Sequence, residues 1–388
     1  MVAGAMLFTA CGDDEGDEGA AATTTAAQTT AAASPTPTDT ASPSPTASDT
    51  ASPSPTETAG ASPTESATAG GGGKVGLVYD IGGRGDKSFN DAAAAGLDKA
   101  KKEFGIEAQE LEPSGQGEDR EELLTQLAQG DFGYNIGVGF LFGDAMKKVA
   151  EANPDVTFGI VDSVIDDDKK KFPNVKQMVF AEHEGSFLVG AAAALKSKAN
   201  HIGFVGGVEI DLIKKFEAGF KAGAEAAKPG IKVDVKYITQ PPDFAGFNDP
   251  AKGKEIANGM YEAGADVVYH AAGGSGTGVF EAAKDASGGK AGADQKWAIG
   301  VDSDQYQTAA KELQPFILTS MLKRVDVAVY ESIKAFNGGD KSGGVKVFDL
   351  KADGVGYSTS GGFVDDIKDK LEDYKAKIVA GDIKVPEK

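Results

Sequence analysis

The stretch VGLVYDIGGRGDKSFNDAAAAGL, residues 75–97, decides the fold class. Its first six residues are an apolar run that ends in an acid, which is typical of a buried parallel strand. A glycine-rich turn follows, and residues 88–104 then have the apolar spacing of a helix. Because a strand that leads into a helix is the repeating unit of a parallel sheet, this opening predicts an α/β protein.

The alternation of strand and helix continues in two series. The first predicts strands at 108–111, 134–139, 156–162 and 175–181 and helices at 118–129, 144–152 and 184–199. The second predicts strands at 202–207, 233–238, 266–271, 297–302 and 316–319 and helices at 211–228, 250–263, 278–286, 324–336 and 365–380. We expect two lobes with parallel sheets, residues 74–195 forming the first and 196–388 mainly the second, with some late segments crossing back. A ligand would lie between them, at the carboxyl ends of the strands.

Residues 1–73 differ in composition from the rest of the 388-residue chain. They hold seven of the 16 prolines and nine of the 59 acidic residues, but neither Lys nor Arg. Because this stretch has few large apolar side chains to offset its ordering entropy, we expect residues 12–73 to form a disordered Ser/Thr/Pro-rich tether. The remaining 315 residues carry all 39 basic residues and the other 50 acidic ones, a formal charge of −11. That charge argues against a nucleic-acid partner, which needs a basic face.

The single cysteine, Cys11, follows small residues and precedes polar ones in MLFTACGDDEG. This context resembles the lipobox of bacterial lipoproteins, in which the cysteine is acylated and anchors the protein to the membrane. Residues 1–11 would then be the remnant of an export signal, because the stretch before the cysteine is too short for a whole signal peptide. The alternative is an unmodified cysteine in a disordered tail.

Side chains suited to ligand binding follow the first strand. Ser88 is a predicted helix N-cap, which puts Phe89 and Asn90 in the first helical turn, facing the cleft. An aromatic ring beside an amide suits a flat heterocycle, because the ring stacks and the amide reads a donor–acceptor edge. From spacing alone, a core position for Phe89 is an equally good interpretation.

The stretch YDIGGRGDKSFND, residues 79–91, resembles the opening motif of the basic membrane protein family of lipoproteins, the purine-nucleoside receptors of ABC transporters. Further motifs that resemble this family follow in the same order: EGSFLVGAAAAL, IGFVGG, FEAGFKAG, GADVVYHAAGGSGTGVFEAAK, IGVDSDQ and LTSMLKRVDVAV. The resemblance implies a type I periplasmic-binding-protein fold with two Rossmann-like lobes. It also implies a monomeric extracytoplasmic receptor with a purine nucleoside in its cleft, an ABC permease as partner, and neither a cofactor nor catalysis.

The resemblance implies a role for individual residues around the base. Phe89 would stack on the base, Asn90 would read its edge, and Asp80 would be a further contact. A second aromatic ring would close on the other face of the base. Phe216 is the first choice for this ring, and Phe187 is the second.

For the ribose, the resemblance implies contacts from Asp302 and Lys323, close approach at Gly274 and Gly276, and another polar contact from Asp144. These roles agree with general chemistry, because carboxylates accept from vicinal hydroxyls and Lys donates to an oxygen. Asp302 could instead cap the next helix, and Lys323 could be a solvated residue at a helix start.

Other kinds of site receive less support. The glycine-rich GGSGTG at 273–278 lacks the lysine of a P-loop. His183, His201 and His270 lie on separate predicted elements without the paired spacing of a metal site, so we expect no metal site.

A receptor of the same fold for a sugar or another heterocycle is the nearest alternative to a nucleoside receptor. A nucleoside-processing enzyme is a more distant one, because the acid cluster typical of nucleoside hydrolases is missing near the first strand.

Overall fold

The computed structural model describes residues 73–165 and 171–388. Cys11 and the proposed tether up to residue 72 therefore lie outside the described residues. In chain order the strands are β1 (Lys74–Val78), β2 (Glu107–Leu111), β3 (Tyr134–Gly137), β4 (Thr157–Val161), β5 (Val175–Phe180), β6 (His201–Val208), β7 (Lys232–Thr239), β8 (Val267–Ala271), β9 (Trp297–Asp302), β10 (Ile317–Lys323), β11 (Gly344–Phe348) and β12 (Val355–Tyr357). The α-helices are α1 (Phe89–Phe104), α2 (Arg120–Gln129), α3 (Gly143–Ala152), α4 (Glu182–Lys196), α5 (Asp211–Ala227), α6 (Pro250–Glu262), α7 (Gly276–Ala286), α8 (Gln305–Thr308), α9 (Val325–Asn337) and α10 (Lys368–Ala380).

The strands form two six-stranded sheets with the same topology. The first has the order β11-β5-β4-β3-β1-β2, and all its neighbours are parallel. The second has the order β12-β10-β9-β8-β6-β7, in which only β12 is antiparallel to its neighbour. Each strand of one sheet thus has a counterpart in the other. The predicted two-lobed α/β fold is confirmed.

The central strands are buried along almost their whole length, which explains the apolar runs that predict them. All five residues of β4 and all eight of β6 are buried. Parallel strands covered by helices on both faces require such continuous burial.

Helices α4 and α5 pack closely because small residues line their contact. A Cβ at Gly190 would lie 2.1 Å from the backbone oxygen of Phe220, and one at Gly223 would lie 1.9 Å from that of Phe187. No side chain fits at either glycine. The sequence-based division placed most of α4 in the first lobe, whereas its main packing partner, α5, follows a strand of the second sheet.

The chain passes between the lobes three times. It crosses after β5, where α4 begins, and after β10, where α9 returns to pack on α1. The third crossing joins β11 of the first sheet to β12 of the second. The edge strands β11 and β12 were not predicted from the sequence, because several of their residues are exposed or half-buried and their partners are distant in the chain.

The predicted closing helix is present as α10. Leu371 and Ile378 are its buried side chains, and the ring of Tyr374 meets that of Phe187 edge-on at 5.4 Å between centroids. Within residues 73–165 and 171–388, no helix is long and apolar enough to span a bilayer.

Candidate ligand-binding site

A cleft lies between the carboxyl ends of the two sheets, where α/β folds of this kind bind their ligands. Its lining is apolar apart from a few charged and amide groups. The lining residues are Asp80, Ile81, Asp86, Phe89, Asn90, Phe140, Asp162, Leu212, Ile213, Phe216, Phe247, Ala271, Ala272, Gly273, Val301, Asp302 and Lys323. Six of the nine residues that the sequence predicts for the ligand are therefore together: Asp80, Phe89, Asn90, Phe216, Asp302 and Lys323.

Asp80, directly after β1, is a buried carboxylate with a buried cationic partner. Its Oδ1 accepts from the backbone N–H of Ile81 over 2.8 Å and from Nη2 of Arg120 over 3.1 Å. Burial raises the pKa of Asp80 to about 6, and the charge of Arg120 opposes this rise. The sequence analysis did not single out Arg120, because nothing local links it to a strand end 40 residues earlier.

The amide of Asn90 is partly used by the protein itself. Its Oδ1 accepts from the backbone N–H of Asp80 over 2.9 Å, and its Nδ2 donates to the carbonyl of Ile81 over 3.3 Å. These bonds fix the orientation of the amide and leave one N–H of Nδ2 for a ligand.

Ser88 is the N-cap residue of α1, as predicted, but its side chain makes no capping hydrogen bond. Asp86 instead accepts from the backbone N–H groups of Ser88, Asn90 and Asp91, at 2.8–3.0 Å, and so satisfies the free donors at the start of α1. The hydroxyl of Ser88 is thereby free to donate to Oδ2 of Asp302 over 2.5 Å. This bond joins the two lobes across the cleft.

Asp302 ends β9 in a left-handed backbone conformation, with φ of 63°. Burial raises its pKa to about 6, against the lowering effects of Lys323 and of the bond from Ser88. The structure shows no side-chain cap from Asp302 on α8, which counts against the capping interpretation of this acid.

Lys323, the last residue of β10, is buried among carboxylates rather than solvated. Its Nζ lies 2.5 Å from Oδ2 of Asp162 and 3.4 Å from Oε1 of Glu182. Burial lowers the pKa of Lys323, but Asp162, Glu182 and Asp302 outweigh it and raise the pKa to about 12. The ammonium therefore stays charged within the cleft.

The sequence analysis missed Asp162, although a signal for it exists. It follows β4 as Asp302 ends β9, the topological counterpart of β4, and both acids have φ near 65°. The tripeptide VDS occurs at both places, at 161–163 and at 301–303. Comparing the two series strand by strand would have paired the two acids. Oδ1 of Asp162 is buried and accepts no hydrogen bond from the described residues, so this oxygen has acceptor capacity left for a ligand.

Aromatic rings from both lobes lie around the same ammonium. The Nζ of Lys323 is 5.1 Å from the ring centroid of Phe89, on α1, and 5.6 Å from that of Phe216, on α5. Phe187 lies away from the cleft and packs against Tyr374 of α10. Of the two rings considered for the far face of a base, the structure thus brings only Phe216 into the cleft.

Three predicted residues are not among those that line the cleft. The side chain of Asp144 is 93% exposed and pairs with Lys147. Gly276 faces the ring of His270, to which a Cβ would come within 1.9 Å, and Gly274 lies nearest Asn248 and Phe247. The physical reason is shared by both lobes: a 3-10 turn, Phe140–Phe142 or Gly273–Ser275, precedes α3 or α7 and displaces the start of the helix from the strand end. Gly273 takes the place at the cleft.

The three histidines lie apart. His201 pairs with Asp234 at 2.7 Å, His270 is fully buried against Phe280, and His183 begins α4. The described part of the chain contains no group of three or more His, Cys, Asp or Glu side chains that could hold a metal ion.

Comparison with known proteins agrees with this architecture. Residues 74–388 match the Bmp family, described as "ABC transporter substrate-binding protein PnrA-like". The chain is 39% identical over 324 residues to the ABC transporter nucleoside-binding protein BmpA of Lactococcus lactis subsp. cremoris, covering 81% of this chain and 89% of that protein. It is 40% identical over 325 residues to the CD4+ T-cell-stimulating antigen of Listeria monocytogenes, covering 81% and 88%.

A solved structure supports the same relationship. The solute-binding protein of an ABC transporter system from Aeropyrum pernix superposes with a TM-score of 0.70 at 29% identity, covering 81% of this chain and 94% of that one. The family match extends over both lobes and all twelve strands. The chain is therefore a member of the basic membrane protein (Bmp) family of ABC transporter substrate-binding proteins.

Proposed function

We propose that this substrate-binding protein takes up a purine nucleoside in its cleft and delivers it to an ABC permease. The observation that carries the proposal is the pair of rings from opposite lobes, Phe89 and Phe216, beside a buried group of charges. Rings on both sides suit a flat base, since each face of a base can stack on an aromatic side chain.

The polar groups of the cleft divide into two sets. Asp80 and Asn90 follow β1 and offer a carboxylate oxygen and an amide N–H, which suit the edge of a base. Asp302, Lys323 and Asp162 lie at the ends of β9, β10 and β4 and suit vicinal ribose hydroxyls. A base at one end and a polyol at the other together describe a nucleoside.

The charge of the cleft favours a ligand without phosphate. Four carboxylates, Asp80, Asp86, Asp162 and Asp302, line it together with one ammonium, Lys323. A phosphate would meet a net negative surface, at a cost that low local dielectric increases. We therefore expect nucleosides to bind and the corresponding nucleotides to be rejected.

The membrane anchor is part of the same proposal. The lipobox-like context of Cys11 supports acylation there, and residues 12–73 would then tether the binding unit to the extracytoplasmic face of the membrane. Mass spectrometry of membrane-extracted protein should find a lipid on Cys11. An unmodified Cys11 would remove the anchor from the proposal.

Isothermal calorimetry with guanosine, inosine, adenosine, cytidine and guanosine monophosphate tests the ligand. We expect tight binding of purine nucleosides, weak binding of cytidine and of the nucleotide, and no hydrolysis of the bound nucleoside. Binding of a sugar in preference to every nucleoside would overturn the ligand class. Release of free base would favour the enzyme alternative.

A further inference from the structure

The buried ion pair between Asp80 and Arg120 has a consequence for base selection. Arg120 begins α2, is only 8% exposed, and its Nη2 lies 3.1 Å from Oδ1 of Asp80. Asp80 lines the cleft, whereas Arg120 does not. The guanidinium can therefore act on a bound ligand only through the carboxylate of Asp80.

The guanidinium is held firmly by the loop before α2. Its Nη1 donates to the carbonyl oxygens of Gln116 and Gly117, each at 2.9 Å, and its Cζ lies 5.4 Å from the ring centroid of Phe142. Gly117 has φ of 87°, and a Cβ there would lie 2.2 Å from Cζ of Arg120. The loop is thus built around the guanidinium, which makes Arg120 a fixed partner.

The fixed partner leaves Asp80 with one free oxygen. Oδ1 accepts from both Arg120 and the backbone N–H of Ile81. Oδ2 accepts no hydrogen bond from residues 73–165 or 171–388, and it lies close to Gly139, where a Cβ would come within 2.1 Å of it. A free carboxylate oxygen of fixed orientation is an acceptor and cannot donate.

Arg120 also opposes the neutralisation of Asp80. Burial raises the pKa of Asp80 to about 6, the charge of Arg120 lowers it, and Asp162 raises it. The other charged groups that line the cleft are the acids Asp86 and Asp302 and the ammonium of Lys323. Without Arg120, the backbone N–H of Ile81 is the remaining bond to Oδ1 that offsets the burial, so the pKa of Asp80 would rise further and the carboxyl would be protonated over more of the pH range.

We propose that Arg120 is a positioning residue that keeps Asp80 a carboxylate with one free oxygen, so that the cleft selects a purine with adjacent N–H donors, as in guanine, over adenine. The inference rests on the proposed nucleoside function. Guanine presents N1–H and the 2-amino group side by side, whereas adenine presents the lone pair of N1, which a carboxylate repels. A protonated Asp80 could donate to that lone pair and would accept adenine.

The test compares guanosine and adenosine affinities of the wild type, Arg120→Gln and Arg120→Lys by calorimetry across a pH series. We expect the wild type to prefer guanosine by about tenfold or more at neutral pH. In Arg120→Gln the ratio of guanosine affinity to adenosine affinity should fall by about tenfold. It should recover only at alkaline pH, where Asp80 ionises even without the charge of Arg120. Arg120→Lys should restore most of the preference, because an ammonium also stabilises the carboxylate.

Each outcome bears on one of the two proposals. If the wild type binds no nucleoside, the proposed function falls and this inference with it. If nucleosides bind but Arg120→Gln keeps the wild-type ratio and pH profile, or loses both affinities equally, only the inference is overturned. Should Arg120→Gln fail to fold, the wild type alone decides: its guanosine preference must shrink as the pH falls through about 6, and a constant ratio contradicts the proposal.

Discussion

The hydroxyl of Ser88 donates to Oδ2 of Asp302 over 2.5 Å, although 214 residues separate them in the chain. Ser88 precedes α1 of the first lobe, and Asp302 ends β9 of the second. Two further bonds support this contact, from Oγ of Ser303 to the carbonyl of Ser88 and from Nε2 of Gln305 to the carbonyl of Lys87. The start of α1 is thus hydrogen-bonded to the opposite lobe at three points, and bonds of this kind favour a closed cleft.

Ser88→Ala should therefore weaken closure. A hydrogen bond to a carboxylate contributes about 1.5–3 kcal/mol, so we expect nucleoside affinity to fall by about tenfold or more through loss of the closed state. Small-angle scattering of the ligand-free variant should show a larger radius of gyration. Ser342→Ala is the matched control, because its hydroxyl also donates to a carboxylate, Asp340, over 2.5 Å but on the exposed surface. Identical scattering from both variants would contradict a closing role for Ser88.

Phe89→Ala should separate binding from folding. Phe89 is half-buried and lines the cleft, so its removal should cost about 1–3 kcal/mol of nucleoside binding and little of the free energy of unfolding. Phe187→Ala is the control, because this ring is buried against Tyr374 and away from the cleft. That variant should lower the melting temperature and keep the binding enthalpy. If Phe89→Ala unfolds the protein as readily as Phe187→Ala, then Phe89 is a core residue.

The Asn90→Ala variant cannot separate loss of binding from loss of stability in the way that Phe89→Ala can. Its side chain is 1% exposed and bonds the backbone at Asp80 and Ile81, so the alanine variant would leave a buried N–H without a partner. The loss of these bonds should lower the stability of Asn90→Ala together with its affinity for a nucleoside.

Nucleoside affinity should depend on pH through Asp80 and Asp302. Burial raises the pKa of each from 3.8 to about 6. A protonated carboxyl loses an acceptor position to its O–H, so the affinity for guanosine, which needs Asp80 ionised, should be constant well above pH 6 and fall below it, by about tenfold per pH unit for each ionised carboxylate that binding requires. Calorimetric titrations from neutral to mildly acidic pH measure the slope. Asp302→Asn should bind more weakly at all pH values and lose one carboxylate's share of the slope; an unchanged slope would exclude Asp302 from the contact.

Lys323→Met should destabilise the fold, and more so at higher pH. Removing the ammonium leaves buried Asp162 without its cation and leaves Glu182 only the more distant Nζ of Lys215, at 3.9 Å, which costs about 3–5 kcal/mol. Burial already raises the pKa of Glu182 from 4.5 to about 7, so protonation relieves the repulsion as the pH falls through that range. Urea unfolding of the wild type and of Lys323→Met, above and below pH 7, should show the smaller loss of unfolding free energy at the acidic pH.

The exposed pair of Lys147 and Asp144 provides the control for this variant. Lys147→Met should change the free energy of unfolding little at any pH, because solvent screens the pair. If Lys323→Met loses as little unfolding free energy as Lys147→Met, then the ammonium of Lys323 does not stabilise the buried carboxylates of Asp162 and Glu182.

The amino-acid sequence by itself determined the order of strands β1 to β10 and of the long helices between them, the two-lobed α/β class and six of the residues in the cleft. The reason is local. Burial periodicity is written into consecutive residues, and the carboxyl ends of parallel strands meet at one edge of each sheet, so acids such as Asp80 and Asp302 are placed by their position after a strand. The motifs that resemble the family added roles to these positions, and they alone pointed to Phe216 and Lys323.

Only the tertiary structure decided which of these groups touch. The partners Asp80 and Arg120 are 40 residues apart, Asp162 and Lys323 are 161 apart, and Ser88 and Asp302 are 214 apart. The first contact depends on packing within the first lobe, and the other two depend on how the crossing segments dock the lobes. No local pattern encodes either arrangement. Short 3-10 turns likewise moved Asp144 and Gly276 away from the cleft, because one added turn redirects every side chain at the start of a helix.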